Sequence, residues 1–206
     1  MHLLFFVCFF EVNMNVYDFD NTIYAGDSTL DFYIYCLKKY PSVLLCVPIQ
    51  LYGFLAYKTG KIDKTIFKSK FFTFVRKVPD IESVVEEFWN EHLPKIKGWY
   101  VRQKKADDLI ISASPYFLLK NVCYRIGIKH LIASEVDPLT GFFQSKNCYG
   151  EAKVERFFEQ FPTSKIDQFY SDSFSDEPMA QIADNAFIVN GDKISAWSGE
   201  KLKKQG

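Results

Sequence analysis

The 206-residue sequence predicts an α/β fold in which a parallel sheet core is interrupted by one helical insertion. Three observations lead there. Short apolar runs end in loops rich in Asp and Ser, as buried parallel strands do. Helical stretches alternate with those runs, the order of a doubly wound sheet. The third is a gap: Asn21 to Ile111, both included, is 91 residues, whereas a whole βαβ unit takes about 30. The surplus belongs to an insertion.

Composition narrows the function classes. At 48% apolar and 24% charged residues the chain is neither disordered, collagen-like nor coiled-coil. Lys and Arg (25) balance Asp and Glu (25), so no overall field favours nucleic acid. Aromatic residues are plentiful at 17%, with 21 Phe. The five cysteines (Cys8, Cys36, Cys46, Cys123, Cys148) are scattered without a C-x-x-C pair. That spacing reads as reduced, buried thiols of a cytosolic protein.

Taken in order, residues 1–13 form an extension with an apolar run from Leu3 to Phe10. It lacks the basic flank and small-residue cleavage site of a signal peptide. It also falls short of the roughly 20 residues needed to span a bilayer. The expectation is a translation start at Met14, which the intact mass of the natively expressed protein tests. The strands are expected at Asn15–Phe19, Leu109–Ala113, Ile128–Ala133, Ile166–Ser171 and Ala186–Val189. Tyr116–Arg125 and Ala152–Glu159 read as helices, and residues 137–147 as a small hairpin around Gly141. Within the insertion, Ile81, Val84, Val85, Phe88 and Leu93 recur at helical period beside Trp89, with Asp80 placed as N-cap.

Val43–Tyr57 is mostly apolar but broken by Pro48, Gln50 and Gly53. Residues 58–77 follow with seven basic side chains and only Asp63 opposing them, interleaved with Phe67, Phe71, Phe72 and Phe74. Two readings stand: packing inside a helical bundle with a solvated lysine face, or docking of 43–77 on an anionic membrane surface.

The chemistry-bearing residues sit at strand ends. Asp18 and Asp20 follow the first strand, where open α/β sheets place ligands. Two carboxylates so close call for a cation. An EF-hand loop counted from Asp18 puts Ile23 at the glycine position and Thr29 at the glutamate, which excludes it. A solvated Asp-rich turn is the ordinary alternative. Ser112 follows the second strand, Lys153 opens the helix before the fourth, and Asp172 and Asp176 follow the fourth. Singly these are an N-cap, a surface lysine and loop acids.

In that order the set resembles the haloacid dehalogenase superfamily of phosphotransferases, from residue 14 onward. The carriers are Asp18-Phe19-Asp20-Asn21-Thr22, Ser112, Lys153 and Ser171-Asp172-Ser173-Phe174-Ser175-Asp176. The resemblance implies a Rossmann-like catalytic core (14–30 and 101–206) with a helical cap (31–100) that excludes water and selects substrate. It implies Asp18 as nucleophile, Asp20 as general acid and base, and Ser112 and Lys153 as phosphate holders. Mg2+ would be bound by the Asp18 side chain, the Asp20 carbonyl and Asp172, with Asp176 joining through water. Gly26-Asp27-Ser28-Thr29 would lead into the cap.

Phosphoserine phosphatases carry Gly-Asp-Gly-x-Asn-Asp in the last motif. The Ser-Asp-Ser form here is more similar to bacterial phosphatidylglycerophosphate phosphatases. The implied activity is therefore a phosphatase of a phosphorylated small molecule or lipid, cytoplasmic or peripheral at the inner membrane face. A small soluble, phosphoserine-like ester is one alternative. A non-hydrolysing membrane-binding module of the same fold is another.

Overall fold

Strand β1 (Asn13–Tyr17) runs through the middle of a six-stranded sheet, buried on both faces from Met14 onward, with Asn15 satisfied by Asp108. The computed structural model describes residues 13–198; the Leu3–Phe10 run lies outside them, while Met14, the expected start, is the second residue of β1. The other strands are β2 (Leu109–Pro115), β3 (His130–Ser134), β4 (Lys165–Ser171), β5 (Ala183–Asn190) and β6 (Lys193–Ala196). Their order is β3-β2-β1-β4-β5-β6, with every pair parallel except β5 and β6.

The expected strands are all present with shifted ends. β1 stops before Asp18, so Asp18 and Phe19 belong to the loop, and Asn13 of the expected extension starts the strand. β6 was not anticipated. Its four residues are mostly exposed and lack an apolar period, while the turn Gly191-Asp192, with Gly191 at φ +62°, closes its hairpin.

Alternation across the sheet separates two apolar layers. Val16, Leu109, Ile111 and Phe169 pack with Phe157 of α7 (Glu151–Gln160) and Met179 of α8 (Glu177–Gln181). Tyr17, Ile110 and Tyr170 face the other way, into a layer shared with the insertion and with α6 (Tyr116–Arg125).

The insertion comprises α1 (Ser28–Lys39), α2 (Val47–Lys58), α3 (Lys64–Phe71), α4 (Ile81–His92) and α5 (Gly98–Gln103). Helix α4 buries Ile81, Val84, Val85, Phe88 and Trp89, and Asp80 caps it by accepting from the Ser83 N–H, as its sequence period predicts. Trp89 Nε1 donates to the Leu118 carbonyl of α6 at 2.7 Å; Phe19, Tyr24 and Phe88 meet its ring edge-on, and Phe32 and Phe74 pack in turn beyond Phe88. Much of the aromatic excess is therefore the seam that fastens the insertion to the sheet.

Helix α2 departs from interior packing: only Gln50, Gly53 and Ala56 are buried along it. Within Val43–Tyr57, Val43 and Cys46 pack inside as the bundle reading expects, whereas Leu44, Leu45, Leu51, Tyr52, Phe54 and Leu55 are exposed.

The 137–147 hairpin forms with a single bridge, Val136 to Phe143, and Asp137 accepts from the N–H groups of Leu139 and Thr140. Gly141 at its tip has φ +76°, and a Cβ there would lie 2.3 Å from the Phe72 carbonyl oxygen. Gly141→Ala is expected to cost about 2–3 kcal/mol, from left-handed strain plus backbone displacement. Urea unfolding measures it; an unchanged midpoint would show that this contact between insertion and hairpin is loose.

Candidate active site

The site forms where β1 ends. The Asp18 N–H donates to the Tyr170 carbonyl at 2.9 Å, so the parallel pairing of β1 with β4 continues one residue into the loop. The chain then reverses tightly. Asn21 takes a left-handed φ of 55°, the N–H groups of Ile23 and Tyr24 return to the Phe19 carbonyl, and Asn21 N–H reaches the Gly26 carbonyl. Lys97 Nζ pins this loop by donating to the Asn21 and Gly191 carbonyls.

That reversal aims two carboxylates differently. Asp18, buried, accepts from Lys153 Nζ at 2.7 Å on Oδ1 and from the Thr22 hydroxyl at 3.3 Å on Oδ2. Asp20 instead accepts the Ser28 N–H at 2.6 Å and the Ser114 hydroxyl. Asp27 caps α1 through the Leu30 N–H, which leaves the Ser28 N–H for Asp20. Burial, with the Asp27 charge adding, pushes the Asp20 carboxyl up to about 6. Burial also raises Asp18, outweighing the pull of the Lys153 charge.

Lys153 stands in the first turn of α7 at 2% exposure and bridges Asp18 to Asp176, 2.7 Å from each. Its burial favours the neutral amine, but the two carboxylates win and hold it charged. Asp176 Oδ2 also accepts the Ser171 hydroxyl at 2.8 Å, so it faces the lysine and its own strand end. The Asp172 N–H donates to Thr22 Oγ1 at 2.9 Å, placing Asp172 beside the Asp18–Thr22 pair. Ser112, fully buried, accepts the Ser114 N–H at 3.1 Å.

The six expected residues thus gather at the carboxyl edge of the sheet. Asp18, Lys153 and Asp176 touch directly, Asp172 joins through Thr22, and Asp20 joins Ser112 through Ser114. The family described as haloacid dehalogenase-like hydrolase matches residues 16–181, a span holding all six. The chain belongs to this family.

Solved structures share the fold of this haloacid dehalogenase-like hydrolase. A Bordetella pertussis protein of unknown function superimposes with a TM-score of 0.67 at 17% identity, covering 84% of this chain and 87% of that one. A phosphoserine phosphohydrolase-like protein from Francisella tularensis gives 0.51 at 16% identity, over 85% and 86%. A phosphoserine phosphatase in a phospho-aspartyl intermediate analogue form also gives 0.51 at 16%, over 85% of each chain. No curated protein matches the chain.

Among the described residues, no three His, Cys, Asp or Glu side chains form a ready-made metal cage. A hydrolase of this family asks for less. The donors available are the carboxylates of Asp18 and Asp172 and the Asp20 carbonyl, all hard oxygens. Burial and the Asp176 charge push the Asp172 carboxyl up, as burial does Asp18, so ionising both is costly until a cation joins Lys153 beside them. Two carboxylates and a carbonyl, with the remaining positions left to water and substrate, suit Mg2+. The donor set fits.

Thr22, Ser28 and Ser171 stand in the sequence motifs, but neither their hydroxyls nor that of Ser114 receives a role from sequence, because Ser and Thr at loop ends usually cap helices. Their spacing from Asp18, Ser112 and Asp176 was the available signal. Lys68 of α3 also arrives unannounced: it donates to the Ala113 carbonyl at 2.8 Å and to Asn147 Oδ1 at 3.0 Å, tying the insertion to the Ser112–Ser114 end of β2. A cavity of about 640 Å³ opens beside Asp172, lined by Asn21, Gly26, Lys97 and Asn190. A larger one of about 770 Å³ lies between α4 and α6 and holds none of the six residues.

Proposed function

We propose that this chain is a Mg2+-dependent phosphomonoester phosphatase working through an aspartyl-phosphate. The observation that carries the reading is the buried Lys153 bridge between Asp18 and Asp176 at the ends of β1 and β4. A lone buried ammonium aligned on a carboxylate is suited to share a phosphoryl group with it.

Asp18 attacks phosphorus, and the bond to the leaving alcohol breaks. Asp20, whose carboxyl holds its proton to higher pH than usual, gives that proton to the alcohol oxygen. Asp20 then takes a proton from the water that attacks the aspartyl-phosphate, releasing inorganic phosphate and restoring Asp18. Ser112 and Lys153 hold the phosphoryl oxygens, and Asp176 positions Lys153. Mg2+, held by Asp18, Asp172 and the Asp20 carbonyl, would neutralise charge on the transferring phosphoryl group.

The insertion, 31–100, serves as cap over the core of 14–30 and 101–206. For the substrate we favour a lipid phosphate such as phosphatidylglycerophosphate, met in the cytoplasm at a membrane face through 43–77. Ser171 supports this choice: its hydroxyl holds Asp176, a bond that a glycine in the phosphoserine phosphatase form would lack. The buried free thiols Cys36, Cys46, Cys123 and Cys148 suit a reducing compartment.

The test is release of phosphate from an aryl phosphate. Turnover is expected with Mg2+, lost in EDTA and restored by added Mg2+, with a protein-bound phosphoryl group that hydroxylamine releases. Undiminished turnover in EDTA would overturn the mechanism. A panel of lipid phosphates against water-soluble esters then decides the substrate class.

A further inference from the structure

Helix α2 is built inside out. Its buried positions, Gln50, Gly53 and Ala56, are polar or small and recur every three residues along one side. The contacts fix that side inward. Gln50 Oε1 accepts from the Tyr33 hydroxyl at 2.8 Å, and its Nε2 donates to the Phe71 carbonyl at 2.9 Å. Gly53 lets α3 approach so closely that a Cβ there would sit 2.9 Å from the Lys70 Cβ.

The opposite side carries Val47, Leu51 and Leu55, flanked by Tyr52 and Phe54 and preceded by Leu44 and Leu45 in the 3₁₀ turn Pro41–Cys46. Leu45 is 73% exposed, Tyr52 61% and Leu51 55%. A helix in water orients its large apolar residues inward; this one presents them as a continuous patch.

The rim of the patch is cationic. Lys58 Nζ lies 5.6 Å from the centre of the Phe54 ring and Lys70 Nζ 5.3 Å from that of Tyr52, their apolar stems running beside the aromatic face. Lys61 is exposed nearby. The patch cannot cross a bilayer: twelve residues extend about 18 Å, against a hydrocarbon core of about 30 Å. No single helix among the described residues is long and apolar enough to do so, and α1 bends 118° from the 41–58 segment. An apolar strip edged by lysines and too short to span is suited to lie in a membrane interface.

We propose that α2 and the turn before it dock on an anionic lipid bilayer. Leu45, Leu51, Tyr52 and Leu55 enter the boundary between headgroups and acyl chains, while Lys58 and Lys70 meet lipid phosphates. Helix α3 packs on the inner side of α2 at Gly53, and its Lys68 holds the Ala113 carbonyl, so α3 links the docking helix to the end of β2 that carries Ser112 and Ser114. The docking itself is independent of the phosphatase reading.

The experiment is co-sedimentation of the full chain with vesicles of phosphatidylcholine containing one-quarter phosphatidylglycerol, and with phosphatidylcholine alone. Wild type is expected to pellet with the anionic vesicles, less with neutral ones, and less as salt rises. Leu51→Glu with Leu55→Glu should lower partitioning about tenfold or more. Both positions are exposed, so circular dichroism and aryl phosphate turnover should stay unchanged. Lys58→Gln with Lys70→Gln should weaken binding to anionic vesicles only. Failure of wild type to pellet with anionic vesicles, or equal pelleting of the Leu double variant, overturns the proposal. So does a dimer in light scattering that the Leu variant breaks while vesicles go unbound, which would make the patch a self-interface. Pelleting is read without turnover, so an inactive but lipid-bound protein would count against the phosphatase reading alone.

Discussion

Asp18→Asn is expected to lower kcat for an aryl phosphate by roughly 10⁴-fold or more, because the amide oxygen cannot form the covalent intermediate. The same change should leave the fold as stable as wild type, or more so. Burial raises the Asp18 carboxyl despite its lysine partner, so the folded state keeps this proton to higher pH than the unfolded chain does. Above that pH the ionised carboxylate costs stability, and Asn carries no such cost. Lys153 keeps Asp176 at 2.7 Å. Turnover paired with urea unfolding at neutral pH checks both halves. Substantial residual activity would remove Asp18 as nucleophile, and a large destabilisation would mean that the lysine pairing outweighs burial.

Lys153→Met should fail on both counts. Asp18 and Asp176 are both buried, at 8% and 3% exposure, and Lys153 neutralises them together. The lysine is held above its ordinary value, so its stabilisation is fully present below that value and is lost only as pH rises through the raised one. At neutral pH, removing it costs about 3–5 kcal/mol by stranding two buried carboxylates. Turnover should fall about 10³-fold with the loss of a phosphoryl partner. Adding Asp18→Asn to Lys153→Met should recover about 1–2 kcal/mol, since one stranded charge disappears. Strict additivity of the two stability changes would mean that Asp18 and Lys153 are uncoupled.

The sheet was legible because strands such as Leu109–Ile111, buried on both faces, read as unbroken apolar runs. The exposed edge strand Lys193–Ala196 escaped for the converse reason. The acids and the lysine of the site were legible from type and order: carboxylates and a lysine are costly to bury, and they fall at strand ends. The hydroxyls that orient them were not, since Ser114 differs in no local pattern from a capping serine. Its role appears only when α1 brings Ser28 and Thr29 to the same point. The orientation of α2 was also hidden. Its composition announces an apolar helix, but which side meets the protein depends on Gln50 finding Tyr33 and Phe71, a tertiary fact.

The central position of β1 has a consequence for synthesis. Its side chains must wait for partners made much later: Asn15 bonds Asp108, 93 residues on, and Thr22 receives Asp172, 150 residues on. At about 5–20 residues per second the ribosome needs roughly 8–30 s to deliver the second of these. The helices of the insertion emerge first and can form locally in that interval. For those seconds β1 lacks at least one of its two neighbours, β2 and β4, and only the arrival of β4 pairs it on both edges. Slow elongation between β1 and β4 should therefore lower the yield of native protein more than the same pause placed after β5.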